Sequence, residues 1–465
     1  MSVPSWIQDS IFYQIFPDRF ANGDPSNDPP NVQAWGAPPT PWNFQGGDLR
    51  GIIDHFDYLL DLGVNALYLN PIFRSTSNHR YNTMDYYTID PKLGDMNDFR
   101  SLLDLAHRNG VHVILDGVFN HCGRGFFAFV DLLENQENSP YRDWFHVLHY
   151  PVQAYGDGES RDYLAWWNIR SLPKFNTSNP AVRKFLFDVA RYWIEMGADG
   201  WRLDVPNEID DDSFWAEFRH VIKSVNQEAY LAGEIWTADP RWVGESHFDG
   251  LMHYPLRDCL LRLVQTGTLD AGQCAAKLES FLDMYPKDNA YAMYLPLGSH
   301  DTERILTKLD GDVNKLKLVS LLQFAYPGAP AIYYGDEIGL KGDKDPGCRS
   351  AFPWDEFQWN QEIRNWFKTL ISLRKGHAAL RKGDCRLVLA DHRRSCFAIA
   401  RALGDENIVA MINASPKQRQ IRLPVEGMGW KNGRTLRNLL GKDEYIVLRG
   451  AVQVTLPPWS GAYIA

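Results

Sequence analysis

Two periods of hydrophobic residues alternate along the first 380 positions. Runs that are wholly apolar, or apolar at every second residue, occur at SIFYQIF (10–16), VNALYLNPIF (64–73), VHVILDGVF (111–119), DGWRLDV (199–205), AYLAGEI (229–235), DGLMHY (249–254), AMYLPLGS (292–299) and AIYYG (331–335). Each reads as a buried strand. Between them apolar residues recur at helical spacing, as in LRGIIDHFDYLLDLG (49–63), in DFRSLLDLAHRNG (98–110), where Phe99, Leu102, Leu103 and Ala106 share one face, and near 180–196 and 211–226. Repeated strand and helix units predict a parallel sheet with right-handed crossovers. Eight strands are the count of a closed (β/α)8 TIM barrel, an α/β fold.

The regularity fails in two places. Residues 120–176 are rich in Gly, Asn, Asp and aromatics and too long for a simple loop, so an inserted small domain is expected after the third strand. From about 380, short alternating runs such as CRLVLA, CFAIARAL and NIVAMINA predict a C-terminal antiparallel β-sandwich. The expected organisation is a barrel in two parts (1–119 and 177–379), the insertion (120–176) and the β domain (380–465).

Composition narrows the partners. Hydrophobic residues make up 45% and charged residues 23%, an ordinary globular balance. A net charge of −10 with no basic stripe disfavours nucleic acid and anionic membranes, so a neutral small molecule is the expected ligand. No stretch is long and apolar enough to span a membrane, and MSVPSWIQDS lacks a signal-peptide pattern, which leads us to expect a cytoplasmic monomer or homodimer. The six cysteines form no CxxC pair and read as free thiols.

The chemistry is carried by charges at strand ends. In DGWRLDVPNEID (199–210), Trp201, Leu203 and Val205 fall on one face, Arg202 and Asp204 on the other. Buried charges are costly unless paired, so a strand that served only as core would carry neither. Asp116 with Asn120 and His121 follows the third strand, Glu234 the fifth, and His300 with Asp301 the seventh. Asp204 and Glu234 are thirty residues apart, one strand–helix unit, and Glu234 and Asp301 sixty-seven, about two. Barrel enzymes place their active sites where strands end, so acids recurring in phase with the strands point to one pocket. Three carboxylates around a pocket suit displacement at an acetal carbon: one attacks, one protonates the departing oxygen, one supports an oxocarbenium-like transition state. Arg202 is expected to hold Asp204 ionised and lower its pKa. Glu234, with no cation near it in sequence and two anions close by, is expected to titrate higher, as an acid catalyst should.

These stretches, DGVFNH (116–121), GWRLDV (200–205), GEIW (233–236) and LGSHDT (297–302), resemble the α-amylase family of glycoside hydrolases in residues and in order. GVNALYLNPIF, LPKF (172–175) and GAPAIYYGDE (328–337) support the match. The resemblance implies Asp204 as nucleophile, Glu234 as acid and base, and Asp301 as transition-state stabiliser. It further implies that His79, Tyr81, His121, Arg202 and His300 line the sugar, with Tyr81 stacked on it, and that Asp345 and Arg349 of DPGCR close the pocket. LDVPNEID and FDGLMHYPLRD are most similar to the cyclomaltodextrinase, neopullulanase and maltogenic amylase group, where Asn207 and Glu208 would meet the leaving-group sugars. That group usually carries an N-terminal β domain, whereas here the first barrel strand is expected within about ten residues of Met1.

The implied activity is retaining hydrolysis of α-1,4 bonds in cyclic and short linear maltooligosaccharides, with some transglycosylation. A glucosyl isomerase or transferase, and a non-catalytic amylase-like binding protein, are the alternatives. NGDPSND (22–28) and QGGD (45–48) resemble a structural calcium site of the same group, with Asn22, Asp24, Asn27, Asp28, Gly46 and Asp48 as ligands; hard oxygen donors suit that ion, and the same residues are also turn formers. Phe126, Phe127, Trp166, Trp167, Phe352 and Trp354 are expected near the pocket rim.

Overall fold

Eight short strands form a ring: Phe12–Ile15 (β1), Ala66–Leu69 (β2), His112–Gly117 (β3), Gly200–Leu203 (β4), Tyr230–Gly233 (β5), Gly250–Leu251 (β6), Tyr294–Pro296 (β7) and Ala329–Tyr333 (β8). The structure is a computed structural model that describes residues 3–465. Neighbours pair in parallel in the order β6-β5-β4-β3-β2-β1-β8-β7. The ring closes where Met252 bridges Tyr294 and the His253 N–H donates to the Tyr294 carbonyl at 2.8 Å. All eight expected strands are present.

Period-two alternation divides the strand residues between two cores. Phe12, Ala66, Tyr68, Ile114, Tyr230, Ala232, Met252 and Tyr294 fill the barrel interior, while Tyr13, Leu67, Leu69, Val113, Leu115, Leu203, Leu231 and Leu295 pack outward against the surrounding helices. Phe99, Leu102, Leu103 and Ala106 are all buried on Met96–Arg108, a helix started by a capping box at Asp95. The helical pattern at 49–63 is divided at His55 into Leu49–Asp54 and Phe56–Leu62.

Between β3 and the helix Pro180–Glu195 the chain leaves the barrel. It builds the helix Phe127–Asn135 and a set of isolated bridges, among them His121 with Lys174 and Phe145 with Phe175. It returns to its starting point, because the Phe175 N–H donates to the Asn120 carbonyl at 3.0 Å. After the barrel, Asp384–Asp391, Cys396–Leu403, Glu406–Asn413 and Ser460–Ile464 form an antiparallel sheet. Ala398, Ala400 and Met411 of this sheet share a core with Ile421, Leu423, Val452 and Val454 of a second antiparallel pair. The two-layer unit docks on the barrel helices through buried Arg401, whose Nη1 donates to the Ala325 carbonyl at 2.6 Å, and through Tyr463, whose hydroxyl donates to the Leu321 carbonyl at 2.6 Å. Among the described residues no helix is long and apolar enough to cross a membrane.

The closing seam leaves no room for a side chain at Gly250, where a Cβ would lie 2.1 Å from the Ala292 carbonyl oxygen. Gly250→Ala is therefore expected to force the seam apart at a cost of about 1–3 kcal/mol. A thermal melt checks this: the midpoint should fall by several degrees while the far-ultraviolet spectrum of the folded protein is unchanged.

Candidate active site

The interior-facing register of the barrel continues upward from apolar to polar residues. Two positions beyond Phe12, Tyr68, Ile114 and Ala232 stand Gln14, Asn70, Asp116 and Glu234, and β4, whose lower position is Gly200, continues with Arg202 and Asp204. The same period that fills the core thus sets a ring of polar groups at its C-terminal mouth.

Arg202 is the hub of that ring. Its side chain is buried, its Nη1 donates to Asp116 Oδ1 and to Asp204 Oδ1, both at 2.8 Å, and its Nη2 lies 2.9 Å from Glu234 Oε2. Glu234 has no cation near it in sequence, but the fold supplies one: the arginine lies on the neighbouring strand and one guanidinium spans both acids. Glu234 is held at two further points, by the Val205 N–H at 3.0 Å and by Trp236 Nε1 at 3.3 Å. Val205 does not continue the strand face as the alternation suggested. It adopts left-handed backbone (φ 37°, ψ 52°), a strained state for a β-branched residue, and that turn presents its N–H to Glu234.

Asp116 organises the opposite side. Its Oδ2 accepts the hydroxyls of Tyr68 at 2.5 Å and Tyr81 at 2.7 Å. The Tyr81 oxygen also meets Asn70 Nδ2 at 3.0 Å and His300 Nε2 at 2.6 Å, and Gln14 Nε2 lies 2.8 Å from His300 Nδ1. This pattern suits a neutral His300 with its proton on Nε2. Burial and the nearby Arg349 and Arg202 push its pKa well down, in agreement. Burial likewise lowers His79 and His121 to about 3. His300 Nε2 lies 3.0 Å from Asp301 Oδ2, and Arg349 joins Asp301 and Asp345, each at 3.2 Å.

The expected depression of the Asp204 pKa is also corrected. Burial pushes it well up, and Arg202, shared with Asp116 and Glu234, offsets only part of this. Asp301 keeps 31% of its side chain open to the pocket; its enclosure and the charge of Glu234 raise it to about 7.

The other expected residues divide. His79 accepts the Tyr81 N–H at 3.1 Å, and the Tyr81 ring lies parallel to that of His300. His121 stacks on Trp166, which stacks on exposed Trp167. Asn207 is exposed and Glu208 pairs with Lys174 at 3.1 Å. Of the six proposed rim residues, Phe126 and Phe352 are buried in the core; Phe127, 48% exposed, packs among Tyr141, Trp144 and Phe185, and Trp354 stacks on His55. Sequence reading missed Gln14, Asn70 and Tyr68, which are marked only by their place in the period, and Trp236, two residues past Glu234 and stacked on Tyr254 at 3.8 Å.

Away from the pocket, the loops 22–28 and 45–48 meet. Asp48 accepts the N–H groups of Gly23, Asp24 and Gly51 and the Asn27 amide, and Asn22 Nδ2 donates to Asp28. Asn22 Oδ1 and Asn27 Oδ1 are buried without a hydrogen-bond donor. Asp24 Oδ1 caps Ser26. Gly46 has φ +83°, and a Cβ there would strike Asp28 and Asn22. Among the described residues no three His, Cys, Asp or Glu side chains cluster for a metal, so any cation here would rest on amide and backbone oxygens as much as on carboxylates.

A family model described as alpha amylase, catalytic domain, matches residues 14–383, and one for the maltogenic amylase C-terminal domain matches 385–464. The chain is 44% identical to a cyclomaltodextrinase of Geobacillus thermopakistaniensis over 98% of this chain and 76% of that one. It is 42% identical to neopullulanase 2 of Thermoactinomyces vulgaris over 99% and 78%. Among solved structures, a cyclic α-maltosyl-(1→6)-maltose hydrolase from Arthrobacter globiformis, in complex with that sugar, has a TM-score of 0.91 at 40% identity and covers 100% of both chains.

The raised Asp301 has a consequence for stability. Unfolded, the group titrates near 3.8; folded, it keeps its proton to about 7. The folded state binds more protons between those values, so this group makes stability fall as pH rises through that window. Asp301→Asn removes the ionisation, and its melting midpoint should exceed that of the unsubstituted protein by more at pH 8 than at pH 4.5. An equal difference at both values would show that the carboxyl titrates normally.

Proposed function

Because the chain belongs to the α-amylase family of glycoside hydrolases, we propose that it hydrolyses α-1,4 bonds of cyclic and short linear maltooligosaccharides with retention of configuration. The observation that carries the mechanism is the Arg202 guanidinium in contact with both Asp204 and Glu234. It holds an attacking carboxylate and a proton donor side by side, the arrangement that double displacement requires. An Asp204 oxygen bonds to the anomeric carbon as the bond to the glycosidic oxygen breaks, and that oxygen takes the Glu234 proton. A water then attacks the same carbon, gives a proton to Glu234 and releases Asp204. A sugar hydroxyl in place of that water yields transglycosylation. Asp301, with Arg349 and neutral His300, binds the glycone and steadies the charge developing on its ring, while Tyr81 faces that ring and Trp236 meets the departing sugar beside Glu234. The small-substrate preference is supported by the relatives' names, two of which specify cyclic substrates, and by the Trp166–Trp167 stack and Trp236 beside the pocket.

The loops 22–28 and 45–48 are assigned a structural calcium ion. The unpartnered Asn22 and Asn27 oxygens, with Asp28 and the backbone around Gly46, fit a hard cation. Asp48 and Asp24 fit it less well, since their oxygens already accept protein donors. The ion has no part in catalysis. The six thiols support a reducing, cytoplasmic setting.

Three outcomes are expected. Asp204→Asn and Glu234→Gln should each lower kcat by roughly a thousandfold or more in folded protein, and proton NMR of the early product should show the α anomer; a β product would overturn the double displacement. The ratio kcat/KM should be higher for small cyclic and short linear glucans than for soluble starch, and a preference for starch would refute the substrate assignment. Calcium should raise the melting midpoint and chelation lower it, because an ion bound only by the native state stabilises by mass action; a melt indifferent to exhaustive chelation, with no calcium by elemental analysis, would return the loops to turn formers.

A further inference from the structure

Of the sixteen tryptophans, three are exposed: Trp42 at 83%, Trp167 at 75% and Trp236 at 48%. Two of these border the active site, Trp236 through its bond to Glu234 and Trp167 through Trp166 and His121. Trp42 has no ring neighbour to account for it. Its loop is nevertheless braced by internal hydrogen bonds. Asn43 Oδ1 accepts the Thr40 N–H at 2.8 Å, Thr40 Oγ1 accepts the N–H groups of Trp42 and Asn43, and Asn43 Nδ2 donates to the Pro38 carbonyl. Pro38, Pro39 and Pro41 restrict the backbone further.

The loop is also tied to the active-site wall. Asn78, next to His79, donates its amide to the carbonyls of Pro41 and Asn43 at 3.2 and 2.8 Å. Fully buried Arg19 donates from Nη2 to the Asn43 carbonyl at 2.8 Å and from Nη1 to the Arg349 carbonyl at 2.6 Å. The backbone around Trp42 is thus tied both to the loop of His79 and Tyr81 and to the loop of Arg349, the two loops that flank the glycone in the proposed reading. We infer that Trp42 is a stacking platform for a glucose unit beyond the cleaved residue on its non-reducing side, and that it sets how strongly the enzyme favours longer glycones. An indole carried in water on a braced turn matches the C–H face of a pyranose, and the backbone beneath it is already ordered before binding.

This inference rests on the proposed glycosidase reading, and the test separates the two. Kinetics are measured for the unsubstituted protein, Trp42→Ala and Trp42→Phe on 4-nitrophenyl α-glucoside and on linear maltooligosaccharides of three to seven units. With Ala, the ratio of kcat/KM for maltohexaose to that for the aryl glucoside should fall about three- to tenfold. The loss should lie in KM, and Phe should recover most of it. An unchanged ratio, or an equal loss on every substrate together with a lowered melting midpoint, would overturn the platform. If the unsubstituted protein hydrolyses none of these glucans, the glycosidase reading itself fails and the platform with it.

Discussion

One guanidinium has to serve three carboxylates at the mouth of the barrel. Asp116, Asp204 and Glu234 come from β3 and the ends of β4 and β5, and all three converge on buried Arg202. Like charges withdrawn from water repel strongly, and without a central cation the site would be held together by protonation alone. Burial, and after it the neighbouring carboxylates that one cation cannot fully offset, raises the pKa of Asp204 and, beside it, of Asp301. Electrostatic tension of this kind is what a site able to exchange a proton and form an ester at one carbon requires.

The arrangement depends on the barrel's register. Interior positions of consecutive strands are apolar below and polar above, so a one-residue slip would turn Arg202 toward the helices and put Trp201 or Leu203 into the mouth. Gly200 permits the close approach of β5, since a Cβ there would lie 2.1 Å from the Tyr230 carbonyl. Val205 then leaves the strand in left-handed backbone, and its N–H becomes a holder of Glu234. The local strain is tolerated because β4 is locked on both sides by parallel partners.

Segments far apart in sequence build the walls. Arg19, just after β1, joins the loop at Asn43 to the loop at Arg349, and Phe352 and Trp354 pack on Phe20 and Tyr58 below it. These aromatics pack the segment that follows Arg349 against the barrel. The excursion after β3 brings Trp166 against His121 in the same way, by returning to Asn120 through Phe175.

Much of this was legible from residue order alone. Period-two apolar runs and helical spacing gave eight strands in sequence, because burial on alternating faces leaves its mark on composition wherever a strand is formed. Acids in phase with those strands pointed to one pocket, since parallel strands all end on the same face. What linear order could not carry was contact between strands. It paired Arg202 with Asp204 at two residues' distance and left Glu234 without a cation, although Glu234 lies as near the guanidinium through the neighbouring strand. It gave Asp204 a lowered pKa because one arginine adjoins it in the chain, whereas the folded site divides that charge among three acids and removes water from all of them. It set bulky aromatics on the rim by their place in loops, where packing put Phe126 and Phe352 in the core and left Trp42, unremarkable in its stretch of prolines, exposed on a loop tied to those of Asn78 and Arg349. Periodicity is a local record of burial; charge sharing, desolvation and the neighbours of a loop are decided only when distant segments meet.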